Sequence, residues 1–264
     1  MKSKIIVWAL FDSGNGCYKK GMDELKKEKG IEAEIFSVGI DIENENKHNF
    51  INLNLADNGQ LFGNNKIFNE LDKLPKPDLI IASPPCESWS VASAMKNGNA
   101  CWKQEKVEDC LSATKIELSR FTIRNNRDYE NYQFKFDKSF RKRINGELCI
   151  FNTIQIIKKY KPTFYIIENP AFGRIWDYIT EVIGFELEYK NFVRYSNYDY
   201  PLQKPTRFSG NIELSLDNKK TKGKIPFTKF SKSYNDRSNI PLKLVKEIFE
   251  KTIKQIEELK QWAK

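Results

Sequence analysis

Ile5-Ile6-Val7-Trp8-Ala9-Leu10-Phe11-Asp12-Ser13-Gly14-Asn15-Gly16 is the stretch that decides the fold. Six apolar residues in a row predict a strand buried on both faces, and the turn-rich run from Phe11 to Gly16 ends it. Residues 18–29, rich in Lys, Glu and Leu, predict a helix. Residues 33–40 alternate like a strand and end at Asp41; residues 49–55 suit a short third strand, and 61–74 a helix. Residues 78–82 predict a buried strand that runs into Ser83-Pro84-Pro85-Cys86. Further on come a helix over 147–160, a buried strand over 163–167 running into Glu168-Asn169-Pro170, an alternating run over 183–194 and a long amphipathic helix over 242–262. Buried strands alternating with helices predict an α/β fold with a mostly parallel sheet covered on both faces. Ligands of such sheets bind beyond the carboxyl ends of the strands, where Gly14, Gly16, Asp41, Cys86 and Glu168 fall.

Composition sets the outer limits. The chain has 264 residues, enough to bury a large core without a disulfide or metal staple. Aromatic residues make up 13%, which excludes disorder of the whole chain. No apolar run is long enough to span a membrane. The opening run of residues 1–10 is basic then apolar, but lacks a small-residue cleavage site and reads as a strand, not a signal peptide. Five widely spaced Cys without an export signal predict reduced thiols and a cytoplasmic protein. His48 is the single His, which weakens every His-ligated metal site and every Ser-His-Asp arrangement.

The net charge of +9 is unevenly spread. Residues 96–145 carry 12 basic against 7 acidic side chains, and residues 211–236 carry 6 against 3, so these two stretches hold +8 of it. The first interleaves its bases with Trp102, Phe121, Tyr129, Tyr132, Phe134, Phe136 and Phe140. Lys and Arg neutralise phosphates and aromatic rings stack on unpaired bases. A solvated basic surface over a small aromatic core accounts for the same pattern, and becomes the weaker reading only beside a catalytic site. The expected organisation is a catalytic half over 1–95, a basic aromatic insertion over 96–145, a second catalytic half over 146–210, a short recognition segment over 211–236, and a closing helix over 237–264.

Three constellations carry chemistry. Gly14 and Gly16 after a strand, with Asp41 at the end of the next one, suit a nucleoside-type cofactor whose ribose hydroxyls an acid accepts. A third Gly, which the dinucleotide fingerprint needs, is missing. In Ser83-Pro84-Pro85-Cys86 the two prolines fix the backbone and aim the thiol, whose thiolate free backbone N–H groups would stabilise. The alternative is a packed structural Cys, the role expected of Cys17, Cys101, Cys110 and Cys149. Glu168 at the end of an apolar strand is partly desolvated, which raises its pKa toward neutrality. Asn169-Pro170 also suits a helix cap.

In this order the runs resemble the DNA cytosine-5 methyltransferases. Phe11–Gly16 is similar to that family's Phe-x-Gly-x-Gly loop, Pro84-Pro85-Cys86 to its nucleophile motif with Ser90 four positions on, and Glu168-Asn169-Pro170 to its Glu-Asn-Val motif. Gln203-Lys204-Pro205-Thr206-Arg207 is similar to its Gln-x-Arg-x-Arg motif, with Pro205 replacing the first Arg. Ser238-Asn239-Ile240-Pro241 resembles the closing Gly-Asn-x-x-Pro motif. The resemblance implies a Rossmann-like S-adenosylmethionine-dependent methyltransferase fold. It implies that Cys86, Glu168 and Arg207 are catalytic, and that Phe11, Gly14, Gly16, Asp41, Asp57, Pro84 and Asn239 contact S-adenosyl-L-methionine. The expected partner is duplex DNA with a flipped cytosine, contacted by Ser90, Arg141, Lys142 and Arg143, with a cognate restriction endonuclease as a possible companion and the chain itself a monomer. The family's long recognition region shrinks here to residues 211–236, so the 96–145 insertion is expected to supply nucleic-acid contacts. The rivals are the same chemistry on RNA or tRNA, methylation of an exocyclic amine (which needs no Cys), and an inactive DNA-binding module on the same fold.

Overall fold

The computed structural model describes residues 4–13, 16–40, 48–90, 101–107, 115–128, 135–225, 229–230 and 238–262, with side chains omitted at 103–107 and 115–120. The main sheet joins β1 (Ile5–Leu10), β2 (Ala33–Gly39), β3 (Phe50–Asn52), β4 (Leu79–Ala82), β7 (Phe164–Pro170), β8 (Tyr189–Arg194) and β9 (Pro205–Gly210). Its spatial order is β3-β2-β1-β4-β7-β9-β8. β1, β2, β3, β4 and β7 pair in parallel, and β9 lies antiparallel between β7 and β8. The fold is therefore α/β with a seven-stranded, mostly parallel sheet, compatible with a Rossmann-like fold. The antiparallel β9 departs from the all-parallel dinucleotide-binding order. It also brings the start of β9 to the carboxyl edge of β7, where Asn169 pairs with Arg207.

Alternation along each strand sorts side chains onto two faces. Ile5, Val7 and Ala9 face one core layer, against α1 (Cys17–Lys29) and α4 (Leu242–Trp262). Trp8 and Leu10 face the other, against α2 (Lys66–Leu71) and α3 (Phe136–Tyr160). The amphipathic stripe of α4 buries Leu244, Val245, Ile248, Phe249, Ile253 and Ile256, so the predicted closing helix completes the first layer. Gly21 lets α1 approach α4 closely: a Cβ there would lie 2.4 Å from a Val245 methyl.

Four expectations change, the first being that the helix expected over 61–74 is confined to Lys66–Leu71, after a 3-10 turn at Gly59–Phe62 that ends at Gly63. The helix expected over 147–160 begins eleven residues earlier, so the boundary drawn at 145/146 falls inside α3. The residues it adds are polar and basic except for Phe136, Phe140 and Ile144, which repeat at helical spacing although both Phe rings are exposed. The strand expected over 183–194 is confined to Tyr189–Arg194: Gly184, at φ 67°, turns the chain after the helical turns that end at Val182, and 185–188 are irregular. Part of the 96–145 insertion is a hairpin of β5 (Trp102–Val107) and β6 (Lys115–Ile123). It is anchored in the second core layer, with Trp102 stacked 5.9 Å from Trp89 and edge-on to Phe121. Among the described residues no helix is long and apolar enough to cross a membrane.

Candidate active site

A cleft of about 1520 Å³ opens at the carboxyl ends of β1, β2, β4 and β7. Cys86 and Glu168 line it together, although they stand 82 positions apart in the chain. The wall also holds Phe11, Gly16, Pro84, Ser90, Lys204 and Asn239.

Each catalytic candidate is held by its neighbourhood. Cys86 opens a short 3-10 turn, Cys86–Ser88, and its own carbonyl accepts the N–H groups of Trp89 and Ser90. Trp89 is fully buried, and α3 braces the turn from behind. The Ser88 hydroxyl donates to the Lys142 carbonyl at 2.5 Å, and Lys142 pairs with Glu87 at 2.9 Å. Gly146 permits that approach, since a Cβ would come within 2.6 Å of the Ser88 hydroxyl. Asn169 donates to the Pro84 carbonyl at 2.8 Å and so ties the two motif turns to each other.

Glu168 points to the α1 side of the sheet, on the same face as Ile166, and is 8% exposed. Tyr195 donates to its carboxylate at 3.3 Å. Ser83 hydrogen-bonds the carboxylate as well, and Tyr18 contacts the Ser83 hydroxyl at 2.6 Å. Burial raises the Glu168 pKa, while Lys204, Ser83 and Tyr195 hold it down. Burial likewise raises the Cys86 thiol, and the Glu168 charge adds to the rise; Lys204 opposes both. The expected thiolate stabilisation by free N–H groups is thus outweighed by desolvation, which favours the neutral thiol.

Asp12 explains the glycine loop. Its buried carboxylate accepts the Ser37 hydroxyl at 2.8 Å and the backbone N–H groups of Tyr18 and Lys19 in the first turn of α1. Burial raises its pKa to about 7 despite these bonds. A side chain at Gly16 would collide with it, its Cβ lying 2.0 Å from Asp12 Oδ1. The helix N-terminus that would cradle a phosphate is therefore capped by the chain's own carboxylate. What remains beside it is an apolar wall of Phe11, Ile40, Leu53 and Leu55. Such an apolar wall suits the flat face of a nucleoside base and leaves no free helix end for phosphates, and the volume exceeds the roughly 300–1,000 Å³ usual for one small ligand.

Several sequence-predicted residues are placed elsewhere. Arg207 leaves the cleft: paired with Asn169 in the sheet, it projects from the opposite face, its guanidinium 4.3 Å over Trp176 and 5.9 Å from Phe192. Its Nε–H donates to Ser209, two residues on. Strand alternation makes this unavoidable once Phe208 fills the first core layer. The Asp57 carboxylate turns back onto the Gly59 N–H at 3.0 Å, and Leu55 and Ala56 line the cleft in its stead. Arg141 and Arg143 line a separate hollow of about 530 Å³ with Phe136 and Phe140, not the main cleft. Lys142 is engaged behind Cys86, and Arg143 stands 4.0 Å from Glu147. Cys17, expected to be structural, lines the cleft, accepting the Ile240 N–H at 3.3 Å beside Asn239. Gly14, Asp41 and Cys110 lie outside the described residues. Sequence reasoning passed over Lys204, Ser83, Tyr18 and Tyr195. Lys204 sits within the quoted Gln203–Arg207 run, whereas no sequence signal joins Tyr18 or Tyr195 to Glu168. No protein-family model matches the chain, and no curated protein shows a significant match to it.

Proposed function

We propose that this protein is a DNA cytosine-5 methyltransferase working through a covalent Cys86 adduct. The observation that carries the reading is the meeting of Cys86 and Glu168 in one cleft whose volume admits both a nucleoside cofactor and a flipped pyrimidine. S-adenosylmethionine, when bound, supplies an electrophilic methyl group. Phe11, Gly16, Pro84 and Asn239 are the cleft residues that would hold it, with Leu53 and Leu55 as apolar support.

The chain's own residues do the rest. The Cys86 sulfur forms a bond to carbon 6 of the cytosine, and its proton passes to Glu168. Glu168 protonates ring nitrogen 3, which draws the electrons of the carbon 5–carbon 6 double bond into the ring and leaves carbon 5 nucleophilic. After methylation the carbon-5 proton leaves to a base. The sulfur–carbon 6 bond then breaks, the electron pair returning to sulfur and the nitrogen-3 proton to Glu168. One hard substitution is thereby divided into two easier steps. A carboxyl group whose proton affinity is raised by burial suits the exchange with nitrogen 3. The reacting edge is hidden in a duplex, so the base must be extruded. Phe172, at 71% exposure on the lip of the cleft just after the Glu168 turn, is placed to stack where that base leaves the helix.

DNA containing 5-fluorocytosine, which cannot lose its carbon-5 substituent as a proton, tests this. With S-adenosylmethionine it should give a complex that survives denaturation, and Cys86→Ser should abolish it. An adduct with RNA alone would move the same chemistry to RNA; none with either would overturn the proposal.

A further inference from the structure

We infer that Lys204, and not Arg207, is the cation of the Cys86–Glu168 pair, a positioning residue whose ammonium group steadies the sulfur as a thiolate while its proton moves to Glu168. The inference rests on the methyltransferase reading for its purpose and on separate geometry for its substance.

Lys204 is the last residue before β9, at the edge where the antiparallel strand begins and β7 ends. Its backbone has φ 28°, a left-handed conformation that a non-glycine residue adopts only where its surroundings impose it. Pro205 follows, and a residue before proline is already excluded from the right-handed helical region. The long side chain that leaves this turn lines the cleft. There its ammonium donates to the Ser238 carbonyl at 3.2 Å and lies 4.8 Å from the Tyr195 ring centre. The same Tyr195 donates to Glu168, so one aromatic residue orients both cation and carboxylate. The charged and titratable groups facing this point are Cys86 after β4, Glu168 on β7, Cys17 and Tyr18 on α1 and Tyr195 between β8 and β9, with Asp12, Lys20, Glu87 and Lys224 further along the cleft wall; burial pulls the Lys204 pKa down, while Glu168, Cys86 and Cys17 hold it up. Arg207 cannot substitute, being committed to Trp176 and Phe192 on the other face of the sheet.

The physical need is plain. Moving the thiol proton to Glu168 leaves a sulfur anion in a desolvated place, and burial alone opposes that. A cation facing both groups compensates whichever of them carries the negative charge, so the proton can shift without creating an uncompensated buried ion.

The test reads the sulfur directly. Alkylation of Cys86 by iodoacetamide is followed against pH by peptide mass spectrometry, in the wild type and in Lys204→Met, Lys204→Gln and Lys204→Arg. Loss of an adjacent opposite charge shifts a titration by about 1–3 pH units. The neutral variants should therefore raise the Cys86 midpoint by about one unit or more, roughly a tenfold slower reaction at neutral pH. Lys204→Arg should restore the wild-type midpoint, which a merely structural role would not require. The glutamine variant keeps a donor for the Ser238 carbonyl and serves if the methionine variant does not fold. Unchanged midpoints in the neutral variants would overturn the inference even if 5-fluorocytosine traps the enzyme. Shifted midpoints without any trapped nucleic acid would leave Lys204 as the cation and overturn the methyltransferase reading alone.

Discussion

Phe11 and Lys204 are non-glycine residues of the cleft wall with left-handed backbones, at φ 62° and 28°. Strain of this kind costs about 1–3 kcal/mol and persists where surrounding structure over-determines it. Both turn the chain at the mouth of the site, one ending β1 and the other opening β9. Between them stands Asp12, whose carboxylate is pushed up to about 7 by burial. A group that binds its proton more tightly when folded lends stability that is fully present below its unfolded pKa, near 4, and is lost as pH rises through about 7. Asp12→Asn should accordingly flatten the thermal-stability profile between pH 4 and 7 and stabilise the protein at pH 8, by at most about 4 kcal/mol. Equal pH dependence of the two melting profiles would refute the assignment. Gly16→Ala, in contrast, should destabilise by roughly 1–3 kcal/mol in chemical denaturation, because its Cβ collides with the Asp12 carboxylate.

At the scale of elements, α3 matters more to the Cys86 turn than its distance in sequence suggests. Its first turns carry the basic run once assigned to nucleic acid, yet Lys142 and Gly146 face the Cys86 turn. Gly146→Val should push Ser88 and Trp89 outward and slow adduct formation at least tenfold, measured by trapping under single-turnover conditions. Arg141 is exposed on the same helix, beside the Phe136 and Phe140 rings that rise from the separate hollow. Arg141→Ala should weaken DNA binding evenly across sequences and reduce the salt slope by about 1. Lys142→Ala should leave that slope nearly unchanged and slow adduct formation, since Lys142 serves the turn. A lowered slope for Lys142→Ala would place its charge on the phosphates after all.

For the molecule as a whole, sheet topology does what no single motif does. Parallel strands leave their carboxyl ends on one edge, which brings the turns after β1, β4 and β7 together. A single antiparallel strand, β9, adds the chain just before it to that same edge. The cleft at this edge thus draws on segments from near residue 11 to residue 240. The basic stretches at 96–145 and 211–236 are peripheral to this arrangement in sequence but attached to it in space, the first through Trp102 and the second through Gly223, Lys224 and Ile225 in the cleft wall.

The sequence by itself determined the strands buried on both faces, the amphipathic closing helix, and the two motif turns at strand ends. These are local matters: hydrophobic period, proline and glycine act within a few residues of where they stand. It also placed Cys86 and Glu168 at equivalent edges, because buried strands joined through helices run parallel and so end on the same edge of the sheet. Only the tertiary structure decided which cation meets them. Arg207 and Lys204 are three residues apart, and a strand sends alternate side chains to opposite faces. Which face received the guanidinium depended on Phe208 filling a core built from α1 and α4, far along the chain. The start of α3 escaped sequence reading for the opposite reason: Phe136, Phe140 and Ile144 repeat at helical spacing, but the basic residues between them read as a nucleic-acid patch, and only the structure shows both rings exposed on a helix.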